Sequence, residues 1–370
     1  MKVAIVASLL KPISPESIGG TEMFAHLLTE GLVDKGADVS LFATSDSKTR
    51  AKLISVCSSK QTNGLYEGDL ETRIPYQILQ AGNVIEKSKD FDIIHNNYYH
   101  FYLFSGFSAF ADCPIVTTMH NHHWKSPNLK SVLEKTQRKN KDVVVFASKA
   151  AQKISNSLFS SEVIYYGIDI SLFPFSPKSE DYILWFSRMV PPKGIKDAMD
   201  ASYAGGFPLI LAGGEPIRPE HKTYFAEKIK PNFSNNVKYK GPSTEKEKIS
   251  LYKNAKALLF PTHLEEEFGL VMVEAMACGT PVIAYNRGAI SEVVKDGVTG
   301  FVIDPDNEDR PHKESWIIKK QGIEGLVEAV KRIGEIDRTA CRKYVQKHFT
   351  KEKMINEYIA LYTRLLDKNS

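Results

Sequence analysis

Residues 265–283 read E-E-E-F-G-L-V-M-V-E-A-M-A-C-G-T-P-V-I and constrain the fold more than any other stretch of the chain. Residues 268–270 lead into a predicted helix over residues 271–278, and Gly279 ends it in the usual way. A predicted strand over residues 282–285 follows at once. A helix N-terminus beside a flexible glycine, at the carboxyl edge of a parallel sheet, offers backbone N–H groups and a positive dipole to an anion. The stretch therefore predicts an α/β fold with a phosphate-binding site.

Two carboxylates bracket this site, Glu266 before the predicted helix and Glu274 inside it. Their Cα atoms would lie about 12 Å apart if both were helical, at about 1.5 Å per residue. A glycosidase acid/base pair needs roughly 5 to 9.5 Å, so a hydrolytic dyad is disfavoured. The spacing suits a ligand with hydroxyl groups at both ends and a diphosphate between them, because carboxylates accept hydrogen bonds from sugar hydroxyls. A solvated acidic loop followed by an ordinary amphipathic helix is the alternative.

The length of 370 residues predicts two domains, at about 150 residues per domain. A net charge of +4 is mild for this length, so no nucleic-acid partner is expected. Neither a membrane span of about 18 apolar residues nor a signal peptide is found in the sequence, so a cytoplasmic location is expected. Four cysteines without C-x-x-C spacing predict reduced, buried thiols: Cys57, Cys113, Cys278 and Cys341.

The first half of the chain opens with a βαβ pattern. Residues 2–9 form an apolar run typical of a buried parallel strand, and residues 37–43 predict a second strand. Between them, Gly19 and Gly20 precede a helical pattern that starts near Met23. Glycines at such a turn let the backbone approach a phosphate or sugar closely, and a plain tight turn is the simpler interpretation when they are taken alone.

A histidine-rich segment follows the predicted strand over residues 114–119. It reads His120-Asn121-His122-His123 and lies at the carboxyl end of the strand, where open α/β sheets collect ligand-facing groups. Three histidines in four residues are compatible with a metal, but without nearby cysteines or paired carboxylates the pattern is unspecific. His120, the first residue after the strand, is the candidate functional member.

Residues 125–153 hold eight Lys or Arg residues among apolar ones. Such a stretch suits contact with an anionic membrane surface or with an anionic acceptor. Glu134 and Asp142 dilute the charge, so an ordinary exposed helix is the favoured interpretation.

A loop with two cations begins the chemistry of the second half. A predicted strand over residues 182–186 ends in a loop that carries Arg188 and Lys193. A guanidinium fork and an ammonium group suit a diphosphate, although two surface cations are the simpler interpretation of this loop alone. A predicted strand over residues 257–261 is followed by the loop that carries Glu266. Because parallel strands end at one edge of a sheet, these side chains are expected to converge.

Two features bear on domain organisation. Residues 174–180 are rich in Pro, Ser and charge, which predicts a linker. Residues 350–366 predict a long amphipathic helix, whose apolar face carries Met354, Tyr358, Leu361, Tyr362 and Leu365.

The string E-x-F-G-L-x-x-x-E-A-M-A-C-G-T-P-V-I-A resembles the signature of retaining glycosyltransferases with the GT-B fold, of the family 4 (group 1) type. The resemblance implies two Rossmann-like domains that face each other across a cleft. Residues 1–175, joined by a C-terminal helix at about residues 350–370, would bind the acceptor. Residues 176–349 would bind the nucleotide-diphosphate sugar.

The resemblance also implies roles for particular side chains. Arg188 and Lys193 would hold the donor diphosphate, Glu266 would accept hydrogen bonds from the transferred sugar, and His120 would lie beside that sugar. The other donor-binding residues would be Gly19, Gly20, Phe268, Gly269, Leu270 and Glu274.

The implied reaction is transfer of a hexosyl unit, with a UDP-sugar favoured as donor, to a hydroxyl group of a cell-envelope glycan, a glycolipid or a small molecule. It would retain the anomeric configuration and need no metal or other cofactor; peripheral contact with a membrane is compatible with it. The chain departs from the family pattern at two positions. Tyr166 stands where Asn often precedes Gly-Ile-Asp, and Asn121 follows His120 where Asp is common.

Other functions remain as alternatives. A sugar-nucleotide epimerase of the same fold would use a similar donor site, and a non-catalytic carbohydrate-binding protein would keep only the binding residues. An NAD-dependent enzyme is disfavoured, because residues 18–22 do not supply the expected G-x-G-x-x-G.

Overall fold

The computed structural model describes residues 1–17, 19–62, 70–98, 100–120, 126–138, 141–155, 160–216, 218–306 and 316–369. The chain divides into two compact units. The first consists of Met1–Gly167 together with Lys351–Ser370, and the second is Ile168–Thr350.

The first unit is built on a parallel sheet of seven strands within the described residues, in the order β3-β2-β1-β4-β5-β6-β7. The strands are β1 (Lys2–Ala7), β2 (Asp38–Phe42), β3 (Lys52–Ile54), β4 (Ile93–Asn97), β5 (Ile115–Met119), β6 (Val143–Phe146) and β7 (Ser161–Val163). Every residue of β4, β5 and β6 is buried, because a sheet with helices on both faces has no solvent-facing side. The helices are α1 (Gly20–Asp34), α2 (Leu70–Glu86), α3 (Tyr102–Ser105), α4 (Pro127–Thr136) and α5 (Lys149–Ser155).

The second unit holds a parallel sheet of six strands among its described residues, in the order β10-β9-β8-β11-β12-β13. The strands are β8 (Ile183–Phe186), β9 (Leu209–Ala212), β10 (Val237–Tyr239), β11 (Ala257–Phe260), β12 (Val282–Tyr285) and β13 (Gly300–Ile303). Its helices are α6 (Ile195–Gly205), α7 (Pro219–Tyr224), α8 (Glu245–Asn254), α9 (Leu270–Ala277), α10 (Ile290–Val293), α11 (Gly322–Arg332) and α12 (Arg338–His348).

The strand order of each sheet fixes where a ligand can bind. The order reverses between β1 and β4 in the first unit and between β8 and β11 in the second. At such a switch point the loops that leave the two central strands diverge and open a crevice at the carboxyl ends of the strands. The loops after β8 and β11 carry the predicted diphosphate and sugar residues.

The last helix, α13 (Lys351–Asn369), belongs to the first unit. The structure buries all five side chains predicted for its apolar face: Met354, Tyr358, Leu361, Tyr362 and Leu365. Tyr362 and Tyr358 also reach polar partners inside the sheet. The Tyr362 hydroxyl lies 2.5 Å from His95 Nδ1, and the Tyr358 hydroxyl lies 2.9 Å from Thr118 Oγ1. Burial lowers the pKa of His95 well below its usual value, so this network is uncharged.

Several sequence-based boundaries were wrong. The basic stretch 125–153, interpreted as one exposed helix, contains α4, β6 and the first part of α5 among its described residues, and Arg138 forms an ion pair of 2.6 Å with Asp142 between α4 and β6. Strand β1 ends at Ala7 rather than at residue 9, and β2 covers Asp38–Phe42 rather than residues 37–43. The thiol prediction is confirmed, since all four cysteines are free and buried.

Candidate active site

The loop after β8 is pressed against the end of the neighbouring strand β11. Gly194 has φ 72°, and a Cβ added there would lie 1.8 Å from the carbonyl oxygen of Pro261, so no side chain fits. The Trp185 indole N–H donates to the Lys193 carbonyl oxygen at 3.2 Å. The chain therefore holds Lys193 at the switch point of the second sheet.

The loop after β11 is tied to the loop after β8. The backbone N–H of His263 donates to the carbonyl oxygen of Pro192 at 2.8 Å. The Lys193 ammonium forms an ion pair with the carboxylate of Glu266, and both side chains are only 12% exposed. The Thr262 hydroxyl lies 3.4 Å from the same carboxylate oxygen. Two residues predicted for the site from separate loops thus bind each other directly.

A third loop, after β12, holds the backbone of the loop after β11, which carries Glu265 and Glu266. The Ala289 N–H donates to the Glu266 carbonyl oxygen at 2.9 Å, and the Gly288 N–H donates to Glu265 Oε2 at 2.6 Å. A Cβ at Gly288 would lie 2.2 Å from the Glu266 carbonyl oxygen. Arg287 adds an ion pair of 3.3 Å to Glu265. Sequence reasoning missed Arg287 and Gly288, although an Arg-Gly pair directly after a predicted strand was an available signal.

Helix α9 begins beside these loops. Its N-cap, Gly269, has φ 88° and offers no capping side chain, so the first backbone N–H groups are available to a ligand. Phe268, which is 2% exposed, packs edge-on against Phe349 with ring centroids 5.5 Å apart. This packing anchors the turn, and the helix starts at Leu270, one residue earlier than predicted.

Glu274, on α9, has a cation partner that the sequence did not indicate. Lys248 Nζ lies 3.3 Å from Glu274 Oε2 and 2.9 Å from Glu245 Oε2. Burial raises the pKa of Glu274, and the charge of Lys248 acts in the opposite direction. Lys248 therefore favours the ionised carboxylate, which is the form that accepts two hydrogen bonds from a vicinal diol.

The substitution Lys248→Met is expected to make nucleotide-diphosphate binding more sensitive to acid. Without the ammonium group the pKa of Glu274 rises further, so the carboxyl group becomes protonated at a higher pH and affinity falls as pH decreases. Calorimetric titration with a nucleoside diphosphate over a pH series measures this shift. Lys246→Met, an exposed change on the same helix, is the control; equal pH profiles for both variants would contradict the role of Lys248.

Arg188 lies on the same loop as Lys193, but its side chain is exposed. Among the residues that the structure describes, its guanidinium forms no hydrogen bond or ion pair. The structure thus places Arg188 near the ion pair in the chain without bringing it into contact with Glu266.

The predicted residues of the first unit lie at the start of α1 and at the end of β5, where His120 packs against Phe24 of α1. Gly19, with φ 141°, precedes α1, which begins at Gly20, and a Cβ on Gly19 would lie 2.2 Å from Glu22 Oε2. Phe24, one turn along α1, packs edge-on against His120 with ring centroids 4.9 Å apart. Burial raises the pKa of Glu22, a buried carboxyl group that sequence reasoning did not single out.

Two further predictions concern metal ions and membranes. In the described ranges, no group of three His, Cys, Asp or Glu side chains is arranged to hold a metal ion. Asn121, His122 and His123 lie outside the described residues. None of the described helices has both the length and the apolar character needed to cross a membrane.

Comparison with known proteins places this architecture in a family. The family model described as glycosyl transferases group 1 matches residues 172–318, and the model described as glycosyltransferase family 4 matches residues 18–172. O-antigen chain mannosyltransferase C of Escherichia coli is 23% identical over 99% of this chain and 100% of its own. A D-inositol 3-phosphate glycosyltransferase of Mycolicibacterium smegmatis is also 23% identical, over 82% of this chain and 80% of its own.

Solved structures show the same fold. Sucrose-phosphate synthase from Thermosynechococcus elongatus superposes with a TM-score of 0.77 at 20% identity, covering 99% of both chains. The Anabaena protein HepE, solved in complex with UDP and glucose, gives a TM-score of 0.74 at 18% identity, covering 98% of this chain and 100% of its own. The two parallel α/β units therefore define a GT-B fold. Within this class, the chain belongs to the group 1 glycosyltransferases.

Proposed function

We propose that this glycosyltransferase moves a hexosyl unit from a nucleotide-diphosphate sugar to a hydroxyl acceptor with retention of anomeric configuration. The observation that carries the proposal is the ion pair of Lys193 with Glu266, on loops after β8 and β11, near the uncapped N-terminus of α9 in the chain. A cation, a carboxylate and free N–H groups are the partners that a sugar diphosphate needs.

The donor site divides into three parts. Lys193, Arg188 and the first N–H groups of α9 bind the diphosphate, and Glu274 accepts hydrogen bonds from the ribose. When the diphosphate takes over Lys193, the carboxylate of Glu266 becomes free to accept from hydroxyl groups of the sugar. The further residues proposed for the site are Gly19, Gly20, His120, Phe268, Gly269 and Leu270.

In the reaction, the bond between the anomeric carbon and the diphosphate oxygen breaks, and a bond to the acceptor oxygen forms on the same face. The acceptor hydroxyl proton passes to the departing diphosphate. Two cationic side chains and a helix dipole stabilise the negative charge that grows on the leaving group, so the proposed reaction is independent of metal.

Donor and acceptor classes are inferred from relatives. The HepE structures include complexes with UDP and with UDP-glucose, which favours a UDP-sugar here. The Escherichia coli relative is named for an O-antigen chain and the Mycolicibacterium relative for inositol 3-phosphate. We therefore propose an acceptor in a cell-envelope glycan, a glycolipid or a small molecule, and a cytoplasmic location that is compatible with peripheral membrane contact.

The sugar-nucleotide epimerase and the non-catalytic carbohydrate-binding protein are not favoured, because the relatives and structures named above include transferases and a synthase. An assay that compares product formation with and without added acceptor separates transfer from epimerisation.

A thermal-shift screen tests the donor site. UDP-, GDP-, ADP- and TDP-sugars are added to the wild-type protein and to Glu274→Ala, since a ligand that binds the folded state raises the melting temperature. A shift with one nucleotide class that is lost in the variant is expected. Turnover measured with EDTA, and the anomeric configuration of the product measured by NMR, test metal independence and retention. Absence of a shift with every donor would contradict the proposed site.

A further inference from the structure

Both ring nitrogens of His120 have protein partners. His120 follows strand β5, and its Nδ1 lies 2.7 Å from the hydroxyl of Tyr166. Its Nε2 lies 3.1 Å from Oδ1 of Asn97, at the end of β4. Asn97 is completely buried and Tyr166 is 8% exposed, so water does not compete freely for these bonds.

The hydrogen bonds determine the tautomer of His120. Asn97 donates its Nδ2 to the carbonyl oxygen of His95 at 3.4 Å, which directs Oδ1 toward His120. An amide oxygen can only accept, so the proton of the neutral imidazole lies on Nε2. Nδ1 is then the acceptor, and the Tyr166 hydroxyl must donate to it.

The surroundings of His120 favour the neutral ring. Burial lowers the pKa of His120 to about 3. Phe24 packs against His120 and also against Tyr166, with ring centroids 5.1 Å apart in the second pair. Two further titratable groups that the structure describes also pack on Phe24: His95, whose pKa burial lowers, and Tyr358, whose pKa burial raises. Neither brings a charge to the ring at neutral pH.

We propose that Tyr166 is a positioning residue for glycosyl transfer: its hydroxyl donates to Nδ1 and holds His120 in one orientation as the neutral tautomer with the proton on Nε2. His120 therefore does not take the proton of the acceptor. The inference rests on the proposed function, in which the departing diphosphate takes that proton. It also gives a role to Tyr166, one of the two positions at which the chain departs from the family pattern.

The variant Tyr166→Phe tests the inference, because it removes one hydroxyl and keeps the ring that packs on Phe24. In the wild-type protein, the NMR signals of the His120 ring nitrogens are expected to show Nε2 protonation and no titration between about pH 5 and 8. In the variant, Nδ1 loses its donor while Asn97 still accepts from Nε2, so we expect the Nδ1 signal to shift and the pKa to move toward the usual value of about 6.5. Turnover should fall about tenfold while the donor KM stays unchanged. The pH profile of turnover should also show a decrease at acid pH that the wild-type protein lacks. The variant His120→Gln assigns the signals.

Tyr102→Phe is a matched control in the same unit. The Tyr102 hydroxyl lies 3.2 Å from Nδ1 of His100, so the change removes a tyrosine–histidine contact of the same kind elsewhere. It should leave the His120 signals and the pH profile of turnover unchanged.

The possible outcomes distinguish a failure of the inference from a failure of the proposed function. A wild-type His120 that is protonated on Nδ1, or that titrates near pH 6.5, would overturn the inference even if no variant folds. An active Tyr166→Phe enzyme with unchanged His120 signals and pH profile would overturn it as well. A wild-type protein that transfers no sugar from any donor would instead overturn the proposed function.

Discussion

Replacement of Lys193 by Met is expected to lower turnover by about 100- to 1000-fold, the loss found when one donor to a developing negative charge is removed. The ammonium group is nearly enclosed and is held by Glu266, and its nitrogen lies 5.5 Å from the centre of the Phe260 ring. An electrostatic contact is strengthened in such a poorly solvated position, so it contributes more as charge builds on the leaving diphosphate. Steady-state kinetics with a UDP-sugar measures the effect.

Arg188→Ala separates catalysis from folding. The Arg188 guanidinium is exposed and makes no hydrogen bond or ion pair within the described part of the chain, so its removal should leave the melting temperature unchanged. A lower turnover in this variant would then report an interaction with substrate alone.

Lys196→Met is the matched control for Lys193→Met. Lys196 lies on the first turn of α6 and forms an exposed ion pair with Asp200, so its removal should leave turnover unchanged. If Lys193→Met and Arg188→Ala both retained wild-type turnover, the assignment of the diphosphate site would be wrong.

The helix α9 and the strand after it were predictable from the sequence, because the residues that specify them are neighbours in the chain. Gly269 before a helical pattern, Gly279 after it and an apolar run at residues 282–285 specify a helix followed by a strand without reference to the rest of the chain. The common edge of a parallel sheet then predicts that the loops with Lys193 and Glu266 meet. The structure shows the direct contact between them.

Partners that depend on tertiary packing were not predictable in this way. Lys248 reaches Glu274 because α8 packs beside α9, and Tyr166 reaches His120 through the arrangement of strands in the first sheet. Tyr166 stands out in the sequence beside Gly-Ile-Asp, but nothing near it in sequence indicates His120 as its partner, and nothing near Lys248 indicates Glu274. Hydrophobic periodicity gives the existence of strands but not their order, so the switch points also came only from the structure.

Helix α2 shows a second reason why part of the fold was not predicted from the sequence. Its buried face carries polar side chains, since Arg73 is 2% exposed and Gln77 is completely buried. Pro75 lies inside the helix as well. An amphipathic pattern is recognised by apolar residues at helical spacing, and here polar groups occupy part of that face. The sequence pattern therefore does not predict the helix at Leu70–Glu86.

Replacement of Arg338 by Met is expected to destabilise the second unit by about 3 kcal/mol, because buried acceptors lose their donors. The guanidinium donates to carbonyl oxygens of Ser176, Lys253 and Ala255 at 2.7–2.8 Å, and to the Thr280 hydroxyl at 2.9 Å. These carbonyls lie at the predicted linker and at the end of α8, where a helix has no N–H groups of its own left to satisfy them. The Arg338 side chain thus caps the carboxyl end of α8 and links it to the segment after α9.

Urea denaturation measures this change, with the transition of the second unit followed separately because the chain has two units. Lys331→Met is the control in the same unit, since Lys331 is exposed on α11 and its loss should not move the transition. Arg338→Lys should fall between wild type and Arg338→Met, because an ammonium group keeps the charge but not the fork of donors. A wild-type midpoint for Arg338→Met would contradict the role assigned to the guanidinium. A loss of stability together with weaker donor binding is the expected pair of results, since α8 carries Lys248 and α9 carries Glu274.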